Sequence, residues 1–162
     1  MSRDSATRWL WLTVLIVAAD QVTKGLASHY LGLHEPLAMA PGLNLTLMHN
    51  TGAAFSLLSQ AGGWQRWLFI GLALAVSAAL VIWLFNLPRG KGLLACSLAL
   101  ILGGALGNLW DRVALGYVVD FIDVYYREWH WPAFNVADSA ITVGAILLVI
   151  DTFWFGEARV AV

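Results

Sequence analysis

The sequence predicts an all-α membrane protein with four transmembrane helices and a small extracytoplasmic β-sheet, and three observations carry that expectation. Of its 162 residues, 60% are hydrophobic and only 12% charged, whereas an ordinary soluble domain is about half apolar and about a quarter charged. Four segments reach the length of about 20 mostly apolar residues that a bilayer crossing requires. The two longer connections between them show strand-like alternation and turn residues instead of apolar runs. The length suits one integral-membrane domain over residues 1–162, with no composition shift to mark a second.

The first span covers about 9–31, from Trp9 to Leu31, and is interrupted by Asp20 and Lys24. Arg3 and Arg8 ahead of "WLWLTVLIVAA" have the look of a secretory signal. The run continues into "DQVTKGLASHYL", a poor cleavage context, so a retained span is expected. The second span, about 67–87, is uncharged throughout, as is the third, about 92–110 from Gly92 to Trp110. The fourth covers about 133–155, from Ala133 to Phe155. Trp9, Trp11, Trp67, Trp83, Trp110, Trp131 and Trp154 fall near span ends, where amphipathic rings favour the headgroup region.

Four spans put both termini and the "NLPRGKG" turn on one side, with Arg3, Arg8, Arg89, Lys91 and Arg159. The other side holds Lys24, Arg66, Arg112 and Arg127, and three of these lie close to acids, Lys24 to Asp20, Arg112 to Asp111 and Arg127 to Glu128. The positive-inside tendency then places both termini in the cytoplasm and the segments about 32–66 and 111–132 outside. In the first of these, Leu43, Leu45 and Leu47 alternate with Asn44, Thr46 and Met48, the period of a half-buried strand, and "NTG" supplies turn chemistry. In the second, Val118, Asp120, Ile122 and Val124 alternate with Val119, Phe121 and Asp123. Gly103 and Gly107 have the four-residue spacing that lets helices approach closely.

The net charge of −1 lacks the basic stripe that nucleic acid would call for. One cysteine, Cys96, excludes an internal disulfide and a multi-cysteine metal cluster; inside an apolar run it reads as inert packing. His29, His34, His49 and His130 are scattered without a zinc motif's spacing, no serine has an obvious base, and "NTGAAF" and "GGALGN" lack phosphate-loop spacing. No metal or cofactor is expected.

Ionisable groups within spans are rare and count as functional hypotheses. Asp20 and Lys24 lie one helical turn apart and can neutralise each other, as a structural pair or as support for a site. Asp138 has no basic residue within a turn; its bland reading is an acid at a helix N-terminus stabilised by the dipole. Asp120, framed by "YVVDFIDV", has the bland reading of an interfacial loop acid. Brought together by the fold, two such carboxylates sharing a proton can hydrolyse an amide by aspartic protease chemistry, one taking a proton from water and the other polarising the carbonyl. Asp111 and Asp123 compete for membership on residues alone. A small proton-coupled transporter is the alternative, since membrane carboxylates also relay protons; a lipid-binding scaffold is a third reading.

Taken in order, "DQVTK" at Asp20–Lys24, "NTGAAF" at Asn50–Phe55, "GGALGNLWDR" at Gly103–Arg112, "VVDFIDV" at Val118–Val124 and "FNVADSAI" at Phe134–Ile141 resemble the lipoprotein signal peptidases, the bacterial signal peptidase II family. The resemblance implies an inner-membrane endopeptidase with an active site toward the periplasmic face, cutting prolipoproteins before a cysteine that carries diacylglycerol. It matches Asp120 and Asp138 to the catalytic dyad, and Asp20, Lys24, Asn50, Gly52, Asn108, Arg112, Asn135 and Ala137 to positions that line or support the site. It also implies membrane lipids as neighbours and sensitivity to the cyclic peptide globomycin.

Overall fold

A helix apolar on every side has no amphipathic stripe and must be covered all round, by protein or by lipid. In the computed structural model, which describes residues 3–52 and 63–155, four helices are long and apolar enough to cross a membrane. They are α1 (Arg3–Tyr30), α2 (Trp64–Phe85), α3 (Gly92–Ala114) and α4 (Val136–Phe155). Leu72, Leu74 and Ile82 of α2 and Ile146, Val149 and Phe153 of α4 point outward, and Trp11, Trp67, Trp83, Trp110 and Trp154 are exposed near helix ends.

The central helix is α3, which packs against the other three. Leu94, Leu98 and Leu102 join Leu80, Leu84 and Leu87 in the apolar core. Glycines bring the other helices close: a Cβ at Gly103 would meet Ile16 of α1 at 2.8 Å, and one at Gly104 would run into the Ala137 carbonyl of α4. The small-residue spacing read at Gly103 and Gly107 thus serves α1, and the intervening Gly104 serves α4.

Helix bounds differ from the expected ones: α1 begins at Arg3, ahead of the expected 9, α2 ends at Phe85, short of 87, and three further bounds move. α2 begins at Trp64, ahead of the expected 67. α3 continues past Trp110 to Ala114, so Asp111 and Arg112 belong to the helix and not to the following connection. Nothing in "DRVA" breaks a helix; it closes at Gly116, whose φ of 89° is left-handed, as Leu115 and Gly116 both donate to the Asp111 carbonyl. α4 starts at Val136 and not at Ala133, since residue 134 is drawn into the sheet.

The connections α1–α2 and α3–α4 meet at one end of the bundle in a four-stranded antiparallel sheet, β1 (Pro36–Ala40), β2 (Leu43–Asn50), β3 (Val118–Tyr126) and β4 (Trp129–His130), in that spatial order. The β2 alternation is turned around relative to a simple apolar-in strand. Asn44 and Thr46 are buried while Leu43 and Leu45 are half-buried, because both polar side chains bond Asp123; a register shift between Leu45 and Met48 then buries Leu47. β3 departs from alternation as well. Val118, Val119, Asp120 and Phe121 are buried in succession, since the strand lies on α1 and α3 and is paired along both edges.

Candidate active site

Two chain segments converge where β3 begins and α4 begins. Ile122 bridges to Phe134, with Phe121 and Ile122 both donating to the Phe134 carbonyl (3.1 and 2.9 Å) and Phe134 N–H returning to Ile122 (3.1 Å). That pairing carries Asn135 alongside Asp120. Asn135 is also the residue before α4, and its Oδ1 accepts the Asp138 N–H at 2.8 Å while Asp138 Oδ2 accepts the Asn135 N–H at 3.3 Å. This reciprocal arrangement is a capping box, in which the side chain before the helix and the third helical residue satisfy each other's backbone donors. Asp138 is therefore the third residue of α4, at the positive end of its dipole.

The two acids, 18 residues apart in sequence, face one cavity of about 770 Å³. Asp120 Oδ1 accepts from Asn135 Nδ2 (2.8 Å) and Oδ2 from Asn50 Nδ2 (3.1 Å). Asp138 Oδ1 accepts from Asn108 Nδ2 (2.7 Å). The Asn135 amide also lies 3.2 Å from Asn108 Oδ1, so the two acids are linked through two asparagines in contact. Burial, together with the neighbouring Asp138 carboxylate, pushes Asp120 up to about 7 against the lowering effect of its Asn50 and Asn135 bonds. A carboxyl in this state exchanges its proton near neutrality, as acid–base work requires.

Behind the acids lies an ion cluster. Lys24 Nζ is 2.8 Å from Asp20 Oδ2, 2.9 Å from Asp111 Oδ2 and 3.0 Å from Asn108 Oδ1, and all four residues are buried. Asp20 Oδ1 accepts the Ala137 N–H (2.9 Å) and Asp111 Oδ2 the Val119 N–H (3.1 Å). The carboxylate of Asp20 occupies the space that a Cβ at Gly107 would take, at 2.6 Å. To the other side, Arg112 Nη2 donates to the Gly52 carbonyl (3.0 Å), and Gly52 N–H donates to Asn50 Oδ1 (3.0 Å). The Arg112 fork is thus turned to a backbone carbonyl, which ties the end of β2 to α3. Ala53–Phe55 of "NTGAAF" lie outside the described residues.

All ten residues singled out by resemblance fall in this one neighbourhood. Asp111 and Asp123, which competed on residue type, part ways. Asp111 belongs to the ion cluster, while Asp123 is three residues up β3, bonded by Asn44, Thr46 and His130. Two contributors went unread. Gln21 donates to Asp111 Oδ1 (2.9 Å) and Asp20 Oδ2 (3.2 Å), and its place in "DQVTK" beside Asp20 was the available signal. The capping box was legible as Asn135 three residues before Asp138, just ahead of an apolar run.

Comparison with known proteins agrees over nearly the whole chain. Residues 12–154 match the family model described as signal peptidase (SPase) II. The lipoprotein signal peptidase of Acinetobacter baylyi is 56% identical over 152 residues, covering 94% of this chain and 85% of that protein. That of Teredinibacter turnerae is 54% identical over 161 residues, covering 96% of each. A bacterial membrane enzyme solved by the in meso method at 2.3 Å superposes with a TM-score of 0.84 at 31% identity, over 94% of this chain and 92% of that one.

Proposed function

The chain belongs to the signal peptidase II family, and on that premise we propose that it is an intramembrane aspartic endopeptidase that cuts prolipoproteins just before the diacylglyceryl-modified cysteine. Membership makes it a peptidase of lipoprotein signal peptides. The observation that carries the finer reading is the pair Asp120 and Asp138, which line one cavity and are held by asparagine amides. The amides carry no charge of their own, and their pull toward the anion at Asp120 does not outweigh burial, so one proton can be shared by the pair.

In this reading the ionised acid takes a proton from a water, the water oxygen attacks the scissile carbonyl, and the protonated acid hydrogen-bonds the carbonyl oxygen as charge develops there. The proton gained from water then passes to the leaving amine. The substrate's lipid is anchored in the bilayer, which holds the scissile bond near headgroup depth, at the start of α4, and turns a rare encounter into a positioned one. The protein sits in the bacterial inner membrane with both termini cytoplasmic and the cavity toward the periplasm. The exposed tryptophans support the interfacial depth of that end, and the basic residues of the opposite side support its orientation. A globomycin-type cyclic peptide is expected to block the cavity.

The test is cleavage of a synthetic diacylglyceryl prolipoprotein peptide by the full-length protein in detergent. Asp138→Asn is expected to abolish cleavage, and chelators to leave it unchanged. Sustained cleavage by Asp138→Asn rejects the dyad, and loss on chelation points to metal chemistry.

A further inference from the structure

We propose that Lys24, together with the two carboxylates it holds, sets the separation of the Asp120 and Asp138 backbones, and that Asp111 is a positioning residue for cleavage. The inference rests on the dyad reading and adds to it what keeps the two acids in register.

An ammonium has three donors, and Lys24 uses them on Asp20, Asp111 and Asn108. Each acceptor leads to one of the acids. Asp20 holds the N–H of Ala137, the residue before Asp138. Asp111 holds the N–H of Val119, the residue before Asp120. Asn108 turns its amide to the Asp138 carboxylate itself. One cation on α1 thereby reaches the backbone of β3 through a carboxylate on α3, and the backbone of α4 through a carboxylate on its own helix. A pair that served helix packing alone would have no cause to take both backbone N–H groups next to the acids.

Burial makes the arrangement stiff. Asp20 is wholly buried, and Lys24 and Asp111 are 3% and 2% exposed. Opposite charges at such depth hold one geometry, because breaking the set strands an uncompensated charge. Gln21 braces it from the side, donating to both carboxylates and to the Gly107 carbonyl (3.3 Å). The separation of two acids sharing a proton governs how far apart their two apparent pKa values lie. A loosened cluster should therefore alter both the rate and the pH range over which the singly protonated pair exists.

The experiment measures kcat, KM and the pH profile of kcat for the full-length protein in detergent with the diacylglyceryl peptide, for Asp111→Ala, Asp111→Asn, Gln21→Leu and Asp120→Asn. Asp111→Ala is expected to lower kcat by about tenfold or more with KM within about twofold, since misplacement by about 1 Å can cost a hundredfold. Its bell-shaped profile should narrow, chiefly from the alkaline side. Asp111→Asn, which can keep an oxygen against the Val119 N–H, should recover part of the rate. A folded Asp111→Ala with wild-type kcat and profile overturns the proposal, as does a lower melting temperature with no change in either. Should Asp111→Ala fail to fold, Gln21→Leu decides. It leaves all three charges in place, and a wild-type rate and profile there overturn the proposal equally. Cleavage that persists in Asp120→Asn rejects the dyad itself, independently of any result at Asp111.

Discussion

At the root of β3, Asp120 lies against the bundle with the amides of Asn50 and Asn135 as its donors and Asp138 as its neighbour. Three residues further along, Asp123 is also covered but lies nearer the surface, and its donors are Asn44, Thr46 and the His130 imidazole at 2.7 Å. Burial pushes both acids up. At Asp120 the second carboxylate adds to that push and carries it to about 7. At Asp123 the bonds from His130, Asn44 and Thr46, helped by the His130 charge, outweigh burial and hold the acid below its ordinary range. Two acids on one strand thus differ in depth and in which partner stands beside them. An acid whose neighbour is another acid keeps a proton to exchange; one facing a cation-forming ring is held as an anion.

The sharpest way to break that contrast is to neutralise each acid in turn. Asp120→Asn is expected to cut kcat by about 10²- to 10⁴-fold, the range that a positioned acid or base contributes, while Asp123→Asn leaves kcat within about threefold of wild type in the same peptide assay. Equal losses would erase the distinction. Stability should move the other way. Folded Asp120 keeps its proton up to about 7 whereas the unfolded chain loses it near 3.8, so between those values the folded state binds more protons and stability falls as pH rises. Asp120→Asn removes that loss. Its melting temperature in detergent should exceed wild type at pH 8 and match it below pH 4, and a lower value at pH 8 would contradict the raised pKa.

Asn135 joins the two ends of the site, and Asn135→Ala should come next in effect. It removes a donor from Asp120 and the cap from Asp138 together. A fall in kcat of about a hundredfold is expected from misplaced acids, with a stability loss of about 1 kcal/mol from the missing cap. Asn135→Ser, which retains an oxygen for the Asp138 N–H, should restore the stability and not the rate. If it restores both, the amide's contact with Asp120 is dispensable.

How much of this the sequence displays depends on the range of the interaction. Spans follow from hydropathy alone, and the Asp20–Lys24 pair from one helical turn of spacing, because both are local properties. The second carboxylate on that lysine was not legible. Asp111 lies 87 positions away, and no periodicity links α1 to the end of α3. Nor does "PLAMA" read as a strand: β1 is exposed along its whole length, and none of its five residues is β-branched or aromatic. It exists as an edge because β2 offers it a partner. The inward polar face of β2 was hidden for a related reason, since Asn44 and Thr46 are buried only by virtue of Asp123 on another strand. The bounds of α3 and α4 moved for causes at hand in sequence, a glycine at 116 and a capping asparagine at 135, which hydropathy windows do not weigh.

The smallest expected effect lies at the tip of β3. His130 stacks on Tyr125 with ring centroids 5.3 Å apart and bonds Asp123, so β4 is tied to β3 by a ring contact as well as by the backbone pairs Tyr125–His130 and Tyr126–Trp129. His130→Phe keeps the stacking and removes the bond. A hydrogen bond to a charged group contributes about 1.5–3 kcal/mol; because His130 is half open to solvent at 51%, the loss should fall at or below the low end of that range, about 1 kcal/mol. Because the folded pKa of Asp123 is depressed, the stability it contributes is present above the unfolded carboxylate value and is lost as pH falls through the folded one. The melting temperatures of wild type and His130→Phe should therefore differ at pH 6 and converge in acid. The root of the strand should not notice. A kcat for His130→Phe more than about threefold below wild type would mean that the tip and the active site are coupled, and that the contrast between the two acids reaches further along β3 than their own hydrogen bonds.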